Sequence, residues 1–497
     1  MSHRLPTQDR DRIQAIVGSG FGTMRFSEYV LLEIESGRGA RAWLAQVLAR
    51  DSVWTVRHLK PQRSERRLFT DEGQEAWSIA FTHRGLGLLG IEEDPQAPFP
   101  SEFKAGQADA ARRLMLREAP HPWQWGDVEI AREDGGPEAV SILVVRMHDG
   151  EQARPHPLLD TSCLARHGLR LVRRIHGSPG SLKSAMQGGK PVRFIEEPFG
   201  FRDGMGQPRV EGLLDFRSDG RALEAGPSVP LGEFVLGHVN AYGEQAHCPA
   251  VKTAAGEPAG GSFGRNGSYL AVQQILQDVE AFRAFDEGNR ASGNEPSVAE
   301  KMIGRRKNGC PLQEIPDALG PDDDFGYRMN DPDGMQCPLG AHVRRANPRD
   351  SVLVRGESRP EPGNLHRLLR RGRPYAIGDG RDDAGPAERP VEVGMFFIAV
   401  VADLARQFEF VKRAWIGNPT FGNLCGETDP LLGWGQGRHF TMPGQPGGSR
   451  VHGLPDLTRT QGGGYFFLPS LDTLQGIAQG RYTGPRERPG DHDGRTA

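Results

Sequence analysis

Asp203, His342 and Arg370 are the residues of this chain whose types and settings could do chemistry, and each lies in a short passage rich in Gly, Pro or Arg. The first passage is EEPFGFRDGMGQPRVEG, where Gly200, Asp203 and Gly204 form a Gly-x-x-Asp-Gly frame. A carboxylate there could carry a proton, although Asp-Gly on local sequence alone reads as a turn dipeptide. The second is CPLGAHVRRANPRD, in which His342 stands among Cys337, Gly340, Arg344, Arg345 and Arg349. No second or third ligand lies nearby, which disfavours a locally built zinc or non-haem iron site. A lone imidazole suffices as the axial ligand of a haem, whose porphyrin brings the other four donors; the plainer reading is a hydrogen-bonded structural histidine. The third is HRLLRRGRPYAIG, with Arg370, Arg371, Gly372 and Arg373. Such a run is usually a solvated basic face, and an arginine turned inward would need an anion or developing negative charge opposite it.

Together, in this order and at about this spacing, the three passages resemble the dye-decolourising peroxidases. That family's signature is Gly-x-x-Asp-Gly, then Gly-Ala-His-(Ile/Val)-Arg-Arg-x-Asn-Pro-Arg, then Arg-x-x-x-Pro-Tyr. The resemblance extends through IQAIVGSGFG, FTHRGLGLLGI, GEFVLGHVNAYGE, GRNGSYLAVQQILQDVEAF and ARQFEFVKRAWIGNP, and so covers most of the chain from Arg12 to Tyr482. It implies an α+β fold of two ferredoxin-like domains, each an antiparallel sheet with flanking helices. It also implies one non-covalent b-type haem per chain, contacted mainly by the C-terminal domain; the chain has no Cys-x-x-Cys-His for covalent attachment. By the same resemblance His342 is the axial ligand, and Asp203 and Arg370 stand over the peroxide-binding face. Gly204, Met205, Gly206, Asn347 and Arg349 are the expected haem contacts, with Met395 and Phe397 as apolar lining of the distal pocket.

The implied reaction is reduction of hydrogen peroxide and one-electron oxidation of aromatic donors such as dyes and phenols. Asp203 would shuttle the proton that lets water depart, and Arg370 would stabilise the charge building on the leaving oxygen. The second ring nitrogen of His342 needs a hydrogen-bond acceptor, which the sequence does not reveal. Gly372 departs from the Asn or Ser frequent in relatives, and Arg373 and Ala376 from the usual Ile and Gly. The alternative from a different class is a haem-binding protein for iron or haem handling, by deferrochelation or storage, with incidental peroxidase activity.

The elements that must position these residues read as α+β. RIQAIVGSGFGTMRFSEYVLLEI begins helix-like and becomes a strand near EYVLLEI, AWSIAFTHRGLGLLGI is a strand then a helix, and FPSEFKAGQADAARRLML is a helix. EAVSILVVRMHDG is a continuous apolar strand of the kind buried on both faces. SYLAVQQILQDVEAFRAF and MFFIAVVADLARQFEFVKRAW each run from strand to helix, and GGGYFFLPS closes with a strand. We read two units, 8–195 and 196–482, followed by a disordered tail, 483–497, which has almost nothing apolar to bury. The regions 289–333 and 356–390 are expected as long surface loops.

Composition bounds the rest. Of 497 residues 37% are hydrophobic, and Gly (66) and Pro (38) show no repeat period, which points to loop-rich globular structure. With 61 basic and 64 acidic residues and a net charge of -3, no global field draws the chain to nucleic acid or an anionic membrane, so small molecules are the expected partners. Five scattered cysteines without a Cys-x-x-Cys argue against a disulfide framework. No apolar run is long enough to span a membrane and no leader is visible, so a cytoplasmic setting is expected. Oligomerisation is left open.

Overall fold

Runs of β-branched and aromatic residues form strands because such side chains pack well on a pleated surface, and in the computed structural model they assemble one large antiparallel sheet. The structure describes residues 5–22, 24–59, 74–128, 136–149, 155–187, 190–214, 228–253, 263–289, 296–313, 325–351, 362–378, 392–443 and 449–482. The elements used below are, in chain order, β1 (Phe26–Ile34), α1 (Gly37–Leu48), β2 (Glu75–Phe81), β3 (Ile142–His148), β4 (Leu169–His176), β5 (Ser268–Gln277), α2 (Val279–Gly288) and α3 (His342–Ala346). They continue with β6 (Leu369–Arg370), β7 (Arg373–Ile377), β8 (Glu392–Val401), the two-part α4 (Ala405–Glu409 and Val411–Ile416), β9 (Thr458–Leu468) and α5 (Leu471–Ala478).

Across the sheet the strands run β6-β8-β5-β9-β2-β3-β1-β4, with β7 continuing β6 along β8. Four strands come from the first part of the chain and the others from the second; the two groups meet where Phe467 of β9 pairs with Phe81 of β2. The sheet is buried on both faces. Val30, Leu32 and Ile34 of β1 pack on one face with Trp43, Leu44 and Val47 of α1 and Leu474 and Ile477 of α5. Tyr29 and Leu31 point the other way, into a cluster with Ile13, Ile16, Phe21, Phe234 and Val235. Each such side chain contributes roughly 1.5–3 kcal/mol by leaving water.

The expected strands are present, and β3 is buried at every position. Three expectations are corrected. The single helix expected at FPSEFKAGQADAARRLML is two, Ser101–Ala105 and Ala110–Met115. Gly106 breaks it at φ +78, where a Cβ would lie 2.5 Å from the Asp127 carbonyl oxygen, and Asp127 instead accepts the N–H groups of Gln107 and Ala108. The 356–390 region is no loop where described, since 369–377 holds β6 and β7; 289–333 contains a capped helix, Val298–Ile303. Of the RIQAIVG stretch only the turn Ala15–Val17 is helical. The tail 483–497 lies outside the described residues. Among the described residues no helix is long and apolar enough to cross a membrane.

Candidate functional site

His342 is the first residue of α3, a five-residue helix too short to be stable alone. Two buried arginines of that helix hold it in place. Arg345 donates to the carbonyls of Gly340 (3.1 Å), Trp415 (3.0 Å), Asn418 (2.9 Å) and Glu427 (2.6 Å). Arg344 donates to the Cys337 carbonyl (2.7 Å) and to Asp331 (3.2 Å). The approach is close enough that a Cβ on Gly340 would sit 2.1 Å from Glu427 Oε1.

The imidazole is oriented by one carboxylate. His342 Nδ1 lies 2.9 Å from Asp429 Oδ2, and the other oxygen of Asp429 accepts the N–H groups of Leu431 (2.9 Å) and Leu432 (2.8 Å). Burial alone would raise the Asp429 carboxyl, but His342 beside it and these hydrogen bonds hold it below the ordinary carboxylate range. A carboxylate accepts only, so Nδ1 carries a proton, and in the neutral ring Nε2 keeps a bare lone pair. Nε2 has no hydrogen-bond partner among the described residues, and the side chain is 25% exposed. Asp429 is the candidate site residue that sequence reasoning missed. Its only local signal is the Asp-Pro-Leu-Leu turn, which any structural aspartate could show.

Asn347 closes α3 through its N–H on the Val343 carbonyl (3.0 Å), and its side-chain oxygen is buried without a partner. Arg349 adopts a left-handed backbone (φ +50), and its guanidinium lies 3.9 Å from the Phe325 ring centre.

Arg370 ends β6 opposite Ala399 of β8. Directly opposed residues share a face, so Arg370 emerges on the face that carries Phe397 and Met395. Arg371 and Arg373 emerge on the other, and both are buried. Arg371 donates to the carbonyls of Ile16 (2.6 Å) and Val17 (2.7 Å), and Arg373 to those of Met24 (2.8 Å) and Gly20 (3.0 Å). The expected solvated basic face is therefore corrected: these two arginines clamp the N-terminal segment, and among the described residues no carboxylate bonds to them. Burial, with Arg370 adjacent, pushes Arg371 down to about 9.

The Gly-x-x-Asp-Gly passage runs beside the same strand. Arg370 donates its guanidinium to the Met205 carbonyl and its N–H to Gln207 Oε1 (3.1 Å), and Arg367 donates to the Gly206 carbonyl (3.0 Å). Gly204 (φ +82) and Gly206 (φ +72) need their left-handed backbones for the turn after Asp203, and a Cβ on either would meet open space. The Asp203 N–H bonds the Ile195 carbonyl (2.8 Å), and its charge reaches Tyr29, Arg373 and Glu197. The structure thus joins the first and third passages directly. Among the described residues no hydrogen bond or ion pair links His342 to Asp203 or Arg370, or Asp203 to Arg370.

Met395 and Phe397 alternate on β8 with the buried Phe396 and Ile398 and are themselves half-buried. Phe397 packs against Phe408 of α4 (6.3 Å between ring centres). α4 is wound with wide turns, Glu409 N–H reaching the Leu404 carbonyl five residues back (2.9 Å), a form often found near functional sites. The same strand explains Gly372, where a Cβ would lie 2.1 Å from the Phe396 carbonyl oxygen, so β6 and β7 can lie this close to β8 only without a side chain there. Near the start of β8 a cavity of about 610 Å³ is lined by Glu197, Gln277, Arg283, Tyr375 and Val393. Burial pushes the Glu197 carboxyl up to about 7, although it accepts from Gln277 (2.8 Å), Phe199 (3.0 Å) and Phe201 (2.9 Å).

The chain is similar to known proteins in sequence and in fold. The family model "Dyp-type peroxidase, C-terminal" matches residues 231–438, which include His342, Arg370 and Asp429. A dye-decolorizing peroxidase of Mycena epipterygia is 26% identical over 453 residues, spanning 81% of this chain and 76% of that protein. The multifunctional dye peroxidase DyP2 of Amycolatopsis sp. is 34% identical over 232 residues, 42% of this chain and 49% of that protein. In fold, the chain resembles the crystal structure of a fungal DyP-type peroxidase from Auricularia auricula-judae, with a TM-score of 0.67 at 22% identity, covering 95% of this chain and 99% of that one. Residues 231–438 thus match the C-terminal domain of the DyP-type peroxidases, a family of haem oxidoreductases, and the chain is similar to dye-decolorizing peroxidases over 81% of its length.

Proposed function

We propose that the chain reduces hydrogen peroxide at one non-covalent b-type haem held by His342, with Asp203 and Arg370 acting on the peroxide, and oxidises phenols and dyes one electron at a time. The observation that carries this reading is the His342–Asp429 hydrogen bond, which leaves Nε2 as a bare donor at the start of α3. The residues present fit the group. Asn347 has an unpartnered buried side-chain oxygen, a Cβ on Gly204 or Gly206 would meet open space, and Met395 and Phe397 are a half-buried apolar pair. Gly204, Met205, Gly206, Asn347 and Arg349 would contact the haem, and Met395 and Phe397 would line its distal side. When bound, the haem would supply an iron that takes two oxidising equivalents from peroxide and passes them on singly.

This chain's own residues then have separate tasks. Asp429 accepts the Nδ1 proton, fixes the tautomer and makes the ligating nitrogen more basic. Asp203 takes a proton from the inner peroxide oxygen and returns it to the outer one, so that water leaves. Its carboxylate accepts no hydrogen bond among the described residues and is therefore free to exchange that proton. Arg370 spends part of its guanidinium on Met205, and its remaining N–H groups stabilise the charge on the departing oxygen. Gly372 contributes no polar group, leaving orientation of the peroxide to these two.

The same reading divides the chain into ferredoxin-like units near 8–195 and 196–482. Supporting it, each half's strands lie in the order fourth, first, third, second, counting β6 and β7 as one. The test is the absorption spectrum of the purified protein with haem, then the rate of its change on adding peroxide. Asp203→Ala and Arg370→Leu should slow that change while haem stays bound; parent-like rates in both would remove the assignment. Appearance of metal-free porphyrin in place of dye oxidation would favour the haem-handling alternative.

A further inference from the structure

A second cavity, of about 500 Å³, lies between the segment 114–118, α4 and the loop 428–434. Its walls include Leu114, Leu116, Ile416 and Trp434, and its floor carries Glu118 and Lys412. Leu114 and Trp434 are 79% and 42% exposed, so two large apolar side chains stand at its mouth. Trp434 is held there by its indole N–H on the carbonyl of Arg117 (2.9 Å), a residue with the strained φ of +56.

The floor is polar and nine-tenths buried. Lys412 Nζ lies 2.9 Å from Glu118 Oε1 and 3.4 Å from Gln273 Oε1, which uses two of its three N–H groups. Glu118 also accepts from Gln273 (2.7 Å) and Thr460 (2.9 Å). An occupant thus meets an unspent donor beside a carboxylate acceptor, at the end of an apolar, aromatic slot. A hydroxyl on an aromatic ring satisfies both at once.

The location matters as much as the lining. Thr428, Leu432 and Gly433 line this cavity, and Asp429 lies within that same loop with its N–H on the carbonyl of Ile416 (3.1 Å), another lining residue. One residue, Asp429, therefore separates the cavity wall from the His342 ring. We propose that this cavity binds a small phenol as electron donor on the histidine side of the site. Its hydroxyl accepts from Lys412 and donates to Glu118, and its electron leaves through Asp429 and His342. The phenol loses one electron to the oxidising equivalent left by peroxide reduction and its O–H proton to Glu118, and departs as a neutral phenoxyl radical. An oxidised phenol is a strong acid, so even a paired carboxylate accepts that proton. This inference rests on the peroxidase reading above for the destination of the electron.

The test uses the haem-loaded protein and fluorine NMR of 4-fluorophenol, with fluorobenzene as the ring lacking a hydroxyl. Leu114→Trp obstructs the mouth at an exposed position, and the pair Glu118→Gln with Lys412→Met removes the charged donor and acceptor of the floor at nearly constant volume. Either should weaken 4-fluorophenol binding about tenfold and raise its apparent KM by a similar factor. Parent-like fluorophenol binding in Leu114→Trp, or equal binding of fluorobenzene and fluorophenol to the parent, would overturn the proposal. If the parent itself fails to react with peroxide, the peroxidase reading falls, while the NMR result still decides whether the cavity takes a phenol.

Discussion

Around His342 the polar groups that set the imidazole are buried and fully engaged: Asp429 is held by two backbone N–H groups, and Arg345 by four carbonyls. Around Asp203 the backbone turns on glycines with open space beside them, and among the described residues the carboxylate and most of the Arg370 guanidinium are uncommitted. The contrast follows from what each place has to do. A ring that offers one lone pair in a fixed direction needs a rigid shell, because a small misplacement loses the bond. A carboxylate that takes up and returns a proton must be reachable by small molecules and free of partners that its protonation would strand.

That contrast can be broken by substitution, and the largest effect is expected at the open side. Asp203→Ala should slow the reaction with peroxide by about 10²–10⁴-fold while changing unfolding free energy by less than about 0.5 kcal/mol, measured by stopped-flow absorbance and urea titration. At the rigid side the order reverses. Asp429→Ala strands two backbone N–H groups and the His342 Nδ1 proton and should cost about 3 kcal/mol of stability in the same urea titration; Asp429→Asn should recover part of it. An equal stability loss at both positions would erase the distinction.

Gly372→Asn tests whether the open side is also limited by packing. Its Cβ would meet the β8 backbone at 2.1 Å, and a loss of roughly 2 kcal/mol in denaturant midpoint analysis is expected. The smallest effect concerns Glu197. Its pKa is raised to about 7 by burial, so between the ordinary carboxylate range and about 7 the folded chain keeps a proton that the unfolded chain has lost. Stability contributed by this group is present at low pH and is lost as pH rises through that window. His148, lowered to about 4 by burial and Arg146, slopes the opposite way over an overlapping range. The informative quantity is therefore the difference in Tm between parent and Glu197→Gln across pH 5 to 8, which should shift in favour of the variant as pH rises.

Several parts of the molecule were legible before any coordinates. Strand β3 announces itself because a strand buried on both faces must be apolar throughout, and β5, β8 and β9 do so by the apolar runs YLAV, MFFIAVV and YFFL. The break at Gly106 was not legible, because it is favoured by Asp127, distant in sequence, which caps the freed N–H groups. The arginine run misled for a similar reason. Composition cannot distinguish an arginine facing water from one whose guanidinium finds backbone carbonyls, and Arg371 and Arg373 find theirs in residues 16–24.

By itself the sequence determined the kinds of chemistry available: one imidazole, one carboxylate in a glycine turn, one arginine in a basic run, and a family resemblance that joins them. Tertiary structure alone decided which groups act on which. Asp429 reaches His342 from 87 residues away, and the Met205 carbonyl reaches Arg370 from 165 residues away. Hydrogen bonds form between neighbours in space, and only the folded sheet, with its alternating faces and close strand packing at Gly372, determines who those neighbours are.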